Sequence, residues 1–444
     1  MKITNLKIKK LYGYINYDIS FYDNINFLYG ENGCGKTTVL NIITNIITGK
    51  VYNLCKYQFQ FIDLKCIDSS SLYDVTINMI DKSLILKITD KDKEVPINEI
   101  NINNEFENEE EKHRYYFSAY PILDELRSKF NYVFLPLNRD GDYMNNSMLY
   151  RRNRNWYMRR YDDYKYFESN NINIQNVNFL IKDAINRKNL KLNNINETFN
   201  KYILKSFLDA ENIANSNEII DYLHDIIVTK AVNLENIKTQ YKNVLRSIDL
   251  LDTHSEKKIQ EFFDDLYKYI ADYRLGNEET LIDLTLKLSE LKKITDIISK
   301  AEENDRLKSK VTAPITNFTK TINLFFRGNF NEKQLQIHPD GRISFKNRFG
   351  KHITLQDLSS GEKQIFTFFA YLIFCIDHTK QSMYLVDEPE LSLHLNWQRI
   401  FVKSIMDLNM DIQLIFATHA PEIIGKYREY AVKLEPTVEE KKYE

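Results

Sequence analysis

With 444 residues and 43% hydrophobic content, the chain is long enough to bury a large core and to form two or three structural units. A formal net charge of −2 excludes a global electrostatic pull on nucleic acid or on an anionic membrane, so any such contact must come from a local patch. The four cysteines (Cys34, Cys55, Cys66 and Cys375) form no CxxC pair, which argues against a zinc site or a disulfide framework and for a reducing compartment.

The opening MKITNLKIKK has no signal-peptide apolar core, and the longest apolar run, Ile365 to Ile376, is too short to span a bilayer. A soluble cytoplasmic protein without membrane contact is expected. Strand-like runs at Ile3–Ile8, Tyr14–Phe21 and Ile25–Tyr29 lead into a glycine-rich loop and then an apolar helix, Thr37–Ile47. The runs Phe59–Lys65, Asp74–Ile80 and Leu84–Ile88 predict an antiparallel sheet. Residues 97–114, rich in Asn and Glu, read as a solvated loop. A helix and a strand, Tyr132–Leu135, are expected next.

From about 150 to 330 the pattern is helical. Leu223, Ile227, Leu234, Ile237, Tyr241, Val244, Ile248 and Leu251 keep a three-to-four spacing, interrupted by Lys230, as a packed helix or short coiled coil requires. A second helical stretch is expected over roughly 257–303; a helix of about 30 residues reaches about 45 Å, a modest arm. Gln334–Ile337 and Arg342–Phe345 flank Pro339-Asp340-Gly341, a hairpin signal.

Two blocks carry chemistry. Gly30-Glu31-Asn32-Gly33-Cys34-Gly35-Lys36-Thr37 matches GxxxxGK[ST] between an apolar strand and a helix. There glycines turn backbone N–H groups onto phosphate oxygens and the helix N-terminus adds positive partial charge. Gly30, Asn32, Gly33, Gly35, Lys36, Thr37 and Thr38 are the candidate ATP-binding residues; Lys36 is expected to reach the β- and γ-phosphates and Thr37 to hold Mg²⁺. The second block, Met383 to Glu388, is an apolar strand ending in two carboxylates. Asp387 is the candidate metal ligand and Glu388 the group that orients or deprotonates the attacking water.

Further segments bring in a family resemblance. Leu358-Ser359-Ser360-Gly361-Glu362-Lys363-Gln364 resembles the signature of ABC ATPases, Ala417-Thr418-His419 resembles their switch histidine, and Glu390-Leu391-Ser392-Leu393-His394 resembles the corresponding segment of OLD- and RecF-related ATPases. His394 stands where transporter ATPases usually carry aspartate. Leu135-Pro136-Leu137-Asn138-Arg139 sits where this group often has an LPxxR loop. The resemblance implies an α/β fold: an ABC-ATPase head, with a mixed sheet carrying the P-loop and an antiparallel β subdomain, interrupted by an inserted helical or short coiled-coil domain. The expected divisions are 1–148, 149–330 and 331–444. It also implies that Ser360, Gly361 and Glu362 bind ATP held by another subunit, that Glu388 and His419 are catalytic, and that the working unit is at least a dimer sandwiching ATP and Mg²⁺.

About 25 residues follow His419, too few for the TOPRIM nuclease of OLD proteins, and there is no CxxC for the hook of zinc-hook repair ATPases. The layout is similar to stand-alone ATPases of anti-phage defence, nearest the PARIS type, then the Septu type. That resemblance implies a sensor controlling a separate effector, a TOPRIM nuclease. The alternative is a RecF- or SMC-like DNA-binding ATPase of repair or maintenance. The basic and aromatic segment Tyr150-Arg151-Arg152-Asn153-Arg154-Asn155-Trp156-Tyr157-Met158-Arg159-Arg160-Tyr161 suits nucleic acid or a phage protein that mimics DNA; an amphipathic helix with Tyr157, Tyr161 and Tyr164 inward remains the other reading.

Overall fold

The computed structural model describes residues 1–68, 71–81, 83–90, 93–94, 97–102, 106, 108–135, 174–208, 233–327, 332–376 and 381–438. The chain divides into two compact units, residues 1–184 with 316–444, and residues 185–315. Pro136 to Arg139, the segment Tyr150–Tyr161, Tyr164, and Leu223, Ile227 and Lys230 of the helical stripe lie outside the described residues.

The described residues of the first unit form three sheets. The largest is antiparallel and eight-stranded, in the order β16 (Thr437–Val438), β2 (Ile15–Ser20), β1 (Lys2–Leu11), β4 (Phe61–Asp68), β5 (Ser71–Ile80), β6 (Ser83–Asp90), β7 (Lys93–Glu94), with β8 (Asn98–Asn101) also on β6. Its strands alternate as a half-covered sheet must: Tyr73, Val75 and Ile77 of β5 are buried, and their neighbours are only partly so. The second sheet is parallel, in the order β15 (Ala431–Lys433), β3 (Ile25–Tyr29), β14 (Ile412–Ala417), β13 (Ser382–Asp387), β9 (Tyr132–Leu135). Every residue of β13 and β14 is buried, the pattern of strands covered on both faces. Buried Gln413 links the two sheets: it accepts from Ile3 N at 2.7 Å and donates to Ile3 O at 2.7 Å and Tyr22 O at 2.9 Å. The expected hairpin forms between β10 (Lys333–Ile337) and β11 (Ile343–Asn347), with β12 (His352–Ile353) completing a third sheet.

Helix α1 (Lys36–Ile47) buries Val39, Leu40, Ile42, Ile43, Ile46 and Ile47 in the core beneath the antiparallel sheet. The stretch read as a solvated loop, 97–114, instead carries a strand and the start of a helix among its described residues. Ile100 is fully buried opposite Leu84, which seats β8 on the sheet, and Asn108 caps α2 (Glu109–Ala119) by accepting from Glu111 N at 2.8 Å. A short helix, α3 (Ile122–Ser128), follows.

The second unit is helical. Its boundaries fall inside α4 (Ile174–Leu208) and α7 (Leu281–Phe326), so the outer ends of both helices belong to the first unit. The helical stretch expected over roughly 257–303 forms as two helices. Helix α6 (Thr253–Arg274) stops at Gly276, whose φ of +87° needs glycine, and Gly276 N and Asn277 N donate to Tyr273 O and Asp272 O. Of the stripe ending at Leu251, the described part forms α5 (Leu234–Ser247), which closes into a turn at Asp249 before Leu251 is reached. Its Leu234 and Leu245 pack with Phe263 and Leu266 of α6 and Leu288 of α7, whereas Val244 packs with Phe199 of α4 and Ile298 of α7. The described part of the stripe therefore builds a compact helical core.

Back in the first unit, helix α8 (Ser360–Phe374) places Phe366 and Phe369 against Phe318 and Phe325 at the end of α7. Helix α9 (Leu395–Met406) adds Trp397 and Phe401 to the same aromatic layer. Among the described residues, no helix is long and apolar enough to cross a membrane.

Candidate functional site

Strand register brings the two chemical blocks together. Asp387 at the end of β13 pairs with Ala417 at the end of β14, and Ala417 pairs with Leu28 near the end of β3. The loops that follow these three strands leave from one edge of the parallel sheet, where open α/β sheets bind ligands.

The glycine-rich loop leaves β3 and enters α1. Gly35 has a φ of +84°, and a Cβ there would lie 2.5 Å from the Tyr17 hydroxyl, which donates to Cys34 O at 2.8 Å. Backbone conformation and close approach both demand glycine. No side chain caps α1 and no acidic residue lies in its first turn, so its positive end is left unneutralised. Lys36 is buried and folded back on its own loop, donating to Gly30 O at 2.9 Å and Glu31 O at 3.1 Å. Asn32 and Gly33 are exposed at the loop's crest, while Thr38 is half-buried.

Thr37 and Asp387, 350 positions apart in sequence, are hydrogen bonded, the Thr37 hydroxyl donating to Asp387 Oδ1 at 3.3 Å. Burial raises the Asp387 carboxyl from its ordinary 3.8 to about 6; the Thr37 hydrogen bond opposes the shift, Glu388 and Glu390 add to it, and Lys36 opposes it. Glu388 follows in the left-handed region at φ +44°, unusual for a residue with a Cβ, and its N–H donates to Ala417 O at 2.8 Å. That turn takes the Glu388 side chain out of the strand, where it is 25% exposed.

His419 leaves β14 half exposed. Its Nδ1 is 3.1 Å from Glu390 Oε1 and 3.9 Å from Glu388 Oε1. Glu390, which the sequence reading quoted without a role, is buried and also accepts from the Thr418 hydroxyl at 2.8 Å and from His419 N at 2.9 Å. The sequence signal available for it was a carboxylate two positions after Glu388 in an otherwise apolar turn.

The signature-like segment is built differently. Ser359 caps α8, and Glu362 returns the bond by accepting from Ser359 N at 2.7 Å. The Glu362 carboxylate, expected among the ATP-binding groups, is buried and engaged by Lys333 Nζ at 2.7 Å to each oxygen. Ser360 is exposed, and Gly361 packs so closely on the Ser392 carbonyl that a Cβ would collide with it. His394, exposed, begins α9. Thr37, Asp387, Glu388 and His419 are thus brought to one edge, whereas Ser359 is bonded to Glu362, Glu362 to Lys333, and Gly361 packs on Ser392.

The residues present suit Mg²⁺–ATP. Thr37 and Asp387 supply one hydroxyl and one carboxylate oxygen, the hard donors magnesium prefers.

Among solved structures, the chain is similar to the SMC head domain from Thermotoga maritima, at 11% identity with 99% of this chain and 98% of that one covered and a TM-score of 0.37. It is also similar to the Smc head domain with an extended coiled coil, bound to the C-terminal domain of ScpA, from Pyrococcus furiosus. There the identity is 12%, coverage is 99% and 96%, and the TM-score is 0.39. No curated protein matches the chain. The family model described as the AAA ATPase domain matches residues 1–424, nearly the whole chain, and the chain therefore belongs to this family of nucleotide-binding P-loop ATPases.

Proposed function

We propose that this protein hydrolyses Mg²⁺–ATP, that each site is completed by the Ser360–Gly361 turn of a second copy, and that nucleotide state controls a separate effector chain. The observation that carries the reading is the delivery of Thr37, Asp387, Glu388 and His419 to one sheet edge beside a glycine loop that ends in an uncapped helix. Lys36 exchanges its carbonyl partners for the β- and γ-phosphates. Thr37 and Asp387 would hold the magnesium ion, which would draw charge from the phosphates. Glu388 orients the attacking water and accepts its proton, and His419 meets the terminal phosphate.

The composite site is supported by the surface of α8. Its first turn carries an exposed serine, and its one acidic side chain, Glu362, is neutralised by Lys333, so the helix end is left able to receive an anion. Control of an effector, a TOPRIM nuclease released in response to phage, rests on the sequence layout and its resemblance to stand-alone defence ATPases.

Mixing two inactive variants tests the composite site. Lys36→Ala removes the phosphate contact of its own subunit, and Ser360→Arg blocks the turn offered to the other. Each alone is expected to be inactive, whereas an equal, exchanged mixture should recover about a quarter of wild-type turnover, because half the dimers carry one intact site. An inactive mixture whose subunits have demonstrably exchanged would contradict a two-copy site.

A further inference from the structure

We infer that Glu390 is the positioning residue for His419: it holds the ring through Nδ1 and so leaves Nε2 as the ring nitrogen that meets the reaction. The inference deepens the reading of this edge as an ATP-hydrolysing site and rests on it. Glu390 is 5% exposed, yet its Oε1 accepts from the Thr418 hydroxyl at 2.8 Å and from His419 N at 2.9 Å, and His419 Nδ1 lies 3.1 Å from the same oxygen. A bare lone pair on Nδ1 would be repelled by a carboxylate oxygen at that distance, so the neutral ring carries its proton on Nδ1. Glu388 does not compete for the ring, because 3.9 Å is beyond hydrogen-bond reach.

The arrangement is poor as a stability device. Glu390 Oε2 is buried with no hydrogen-bond partner among the described residues, which costs free energy that a well-packed apolar side chain would avoid. The two bonds on Oε1 fix the Thr418–His419 turn, and the 3.1 Å approach of Nδ1 places the His419 ring against the same oxygen. That is how an outer carboxylate orients a working histidine and sets its tautomer. With Nδ1 engaged, Nε2 can accept a hydrogen bond from water or, once protonated, donate to a phosphate oxygen.

The test uses the full chain with ¹⁵N-labelled histidine. There are eight histidines, so the His419 signals are assigned as those lost in His419→Ala. Wild-type His419 should show the Nδ1–H pattern in two-bond ¹H–¹⁵N spectra. Glu390→Met keeps the volume but removes the acceptor; it should shift the ring to the Nε2–H pattern and lower kcat about tenfold, with the KM for ATP nearly unchanged. Glu390→Gln restores an acceptor oxygen and should recover most of that loss. The double variant with His419→Ala should be no slower than His419→Ala alone. An Nε2–H ring in the wild type overturns the inference even if the methionine variant fails to fold, and so does a wild-type kcat in Glu390→Met while His419→Ala is impaired. Full activity in His419→Ala instead removes His419 from the site, which is a failure of the underlying functional reading.

Discussion

Neutralising Asp387 should make the nucleotide-free protein more stable. Its carboxyl rises from 3.8 to about 6 because it is buried among Glu388 and Glu390 with only the Thr37 hydroxyl and Lys36 in opposition. Between these values the folded chain keeps a proton that the unfolded chain has lost, so stability falls as pH rises through the window. The penalty is absent below the unfolded value and complete above the folded one. A shift of about 2 pKa units corresponds to at most about 3 kcal/mol, and solvent screening at the sheet edge reduces this to roughly 1–2 kcal/mol. Asp387→Asn has the same shape, retains an oxygen for the Thr37 hydroxyl and does not ionise. In urea titrations without metal or nucleotide, it should exceed the wild type by about 1–2 kcal/mol near pH 7.5 and lose that advantage by about pH 4. Adding Mg²⁺–ATP should narrow or reverse the order, because the ligand stabilises the wild type more. Equal midpoints near neutrality, or an advantage that grows on acidification, would refute the account of the buried charge.

Two backbone predictions follow from close approaches. Gly361→Ala forces the start of α8 away from the Ser392 carbonyl and is expected to cost about 1–3 kcal/mol in a urea titration; an unchanged midpoint would show that the turn has room to adjust. Gly35→Ala meets both a φ of +84° and the Tyr17 hydroxyl, so it should abolish fluorescent-nucleotide binding. Adding Tyr17→Phe removes the colliding hydroxyl but not the strained backbone, so binding should return only in part. Complete recovery would place the whole effect in the collision.

What could be read in the sequence follows from the range of the interactions concerned. The glycine loop is legible because its requirements are local: a strand, a left-handed Gly35 and a helix start within a dozen residues. The strand ending in Asp387 is legible because burial on both faces makes it continuously apolar. Strand β8 escaped notice because one buried residue, Ile100, anchors it among Asn and Glu. The break between α6 and α7 was carried by Gly276 alone, against a strong helical pattern on both sides. The partners of Glu362 and Glu390 are set by tertiary contacts to Lys333 and to the Thr418–His419 pair, which periodicity cannot reveal. Glu362 was expected to bind ATP from the resemblance of its segment to the ABC signature, and in the fold its carboxylate is engaged by Lys333.

The central claim is that this sheet edge hydrolyses ATP with Glu388 acting on water. The most direct measurement is steady-state ATP turnover by Glu388→Gln alongside its equilibrium affinity for Mg²⁺–ATP. The account predicts binding close to wild type with kcat lowered at least about 100-fold, the scale of a lost general base. Wild-type turnover in a variant that binds ATP normally would remove Glu388 from the reaction and contradict the proposed site.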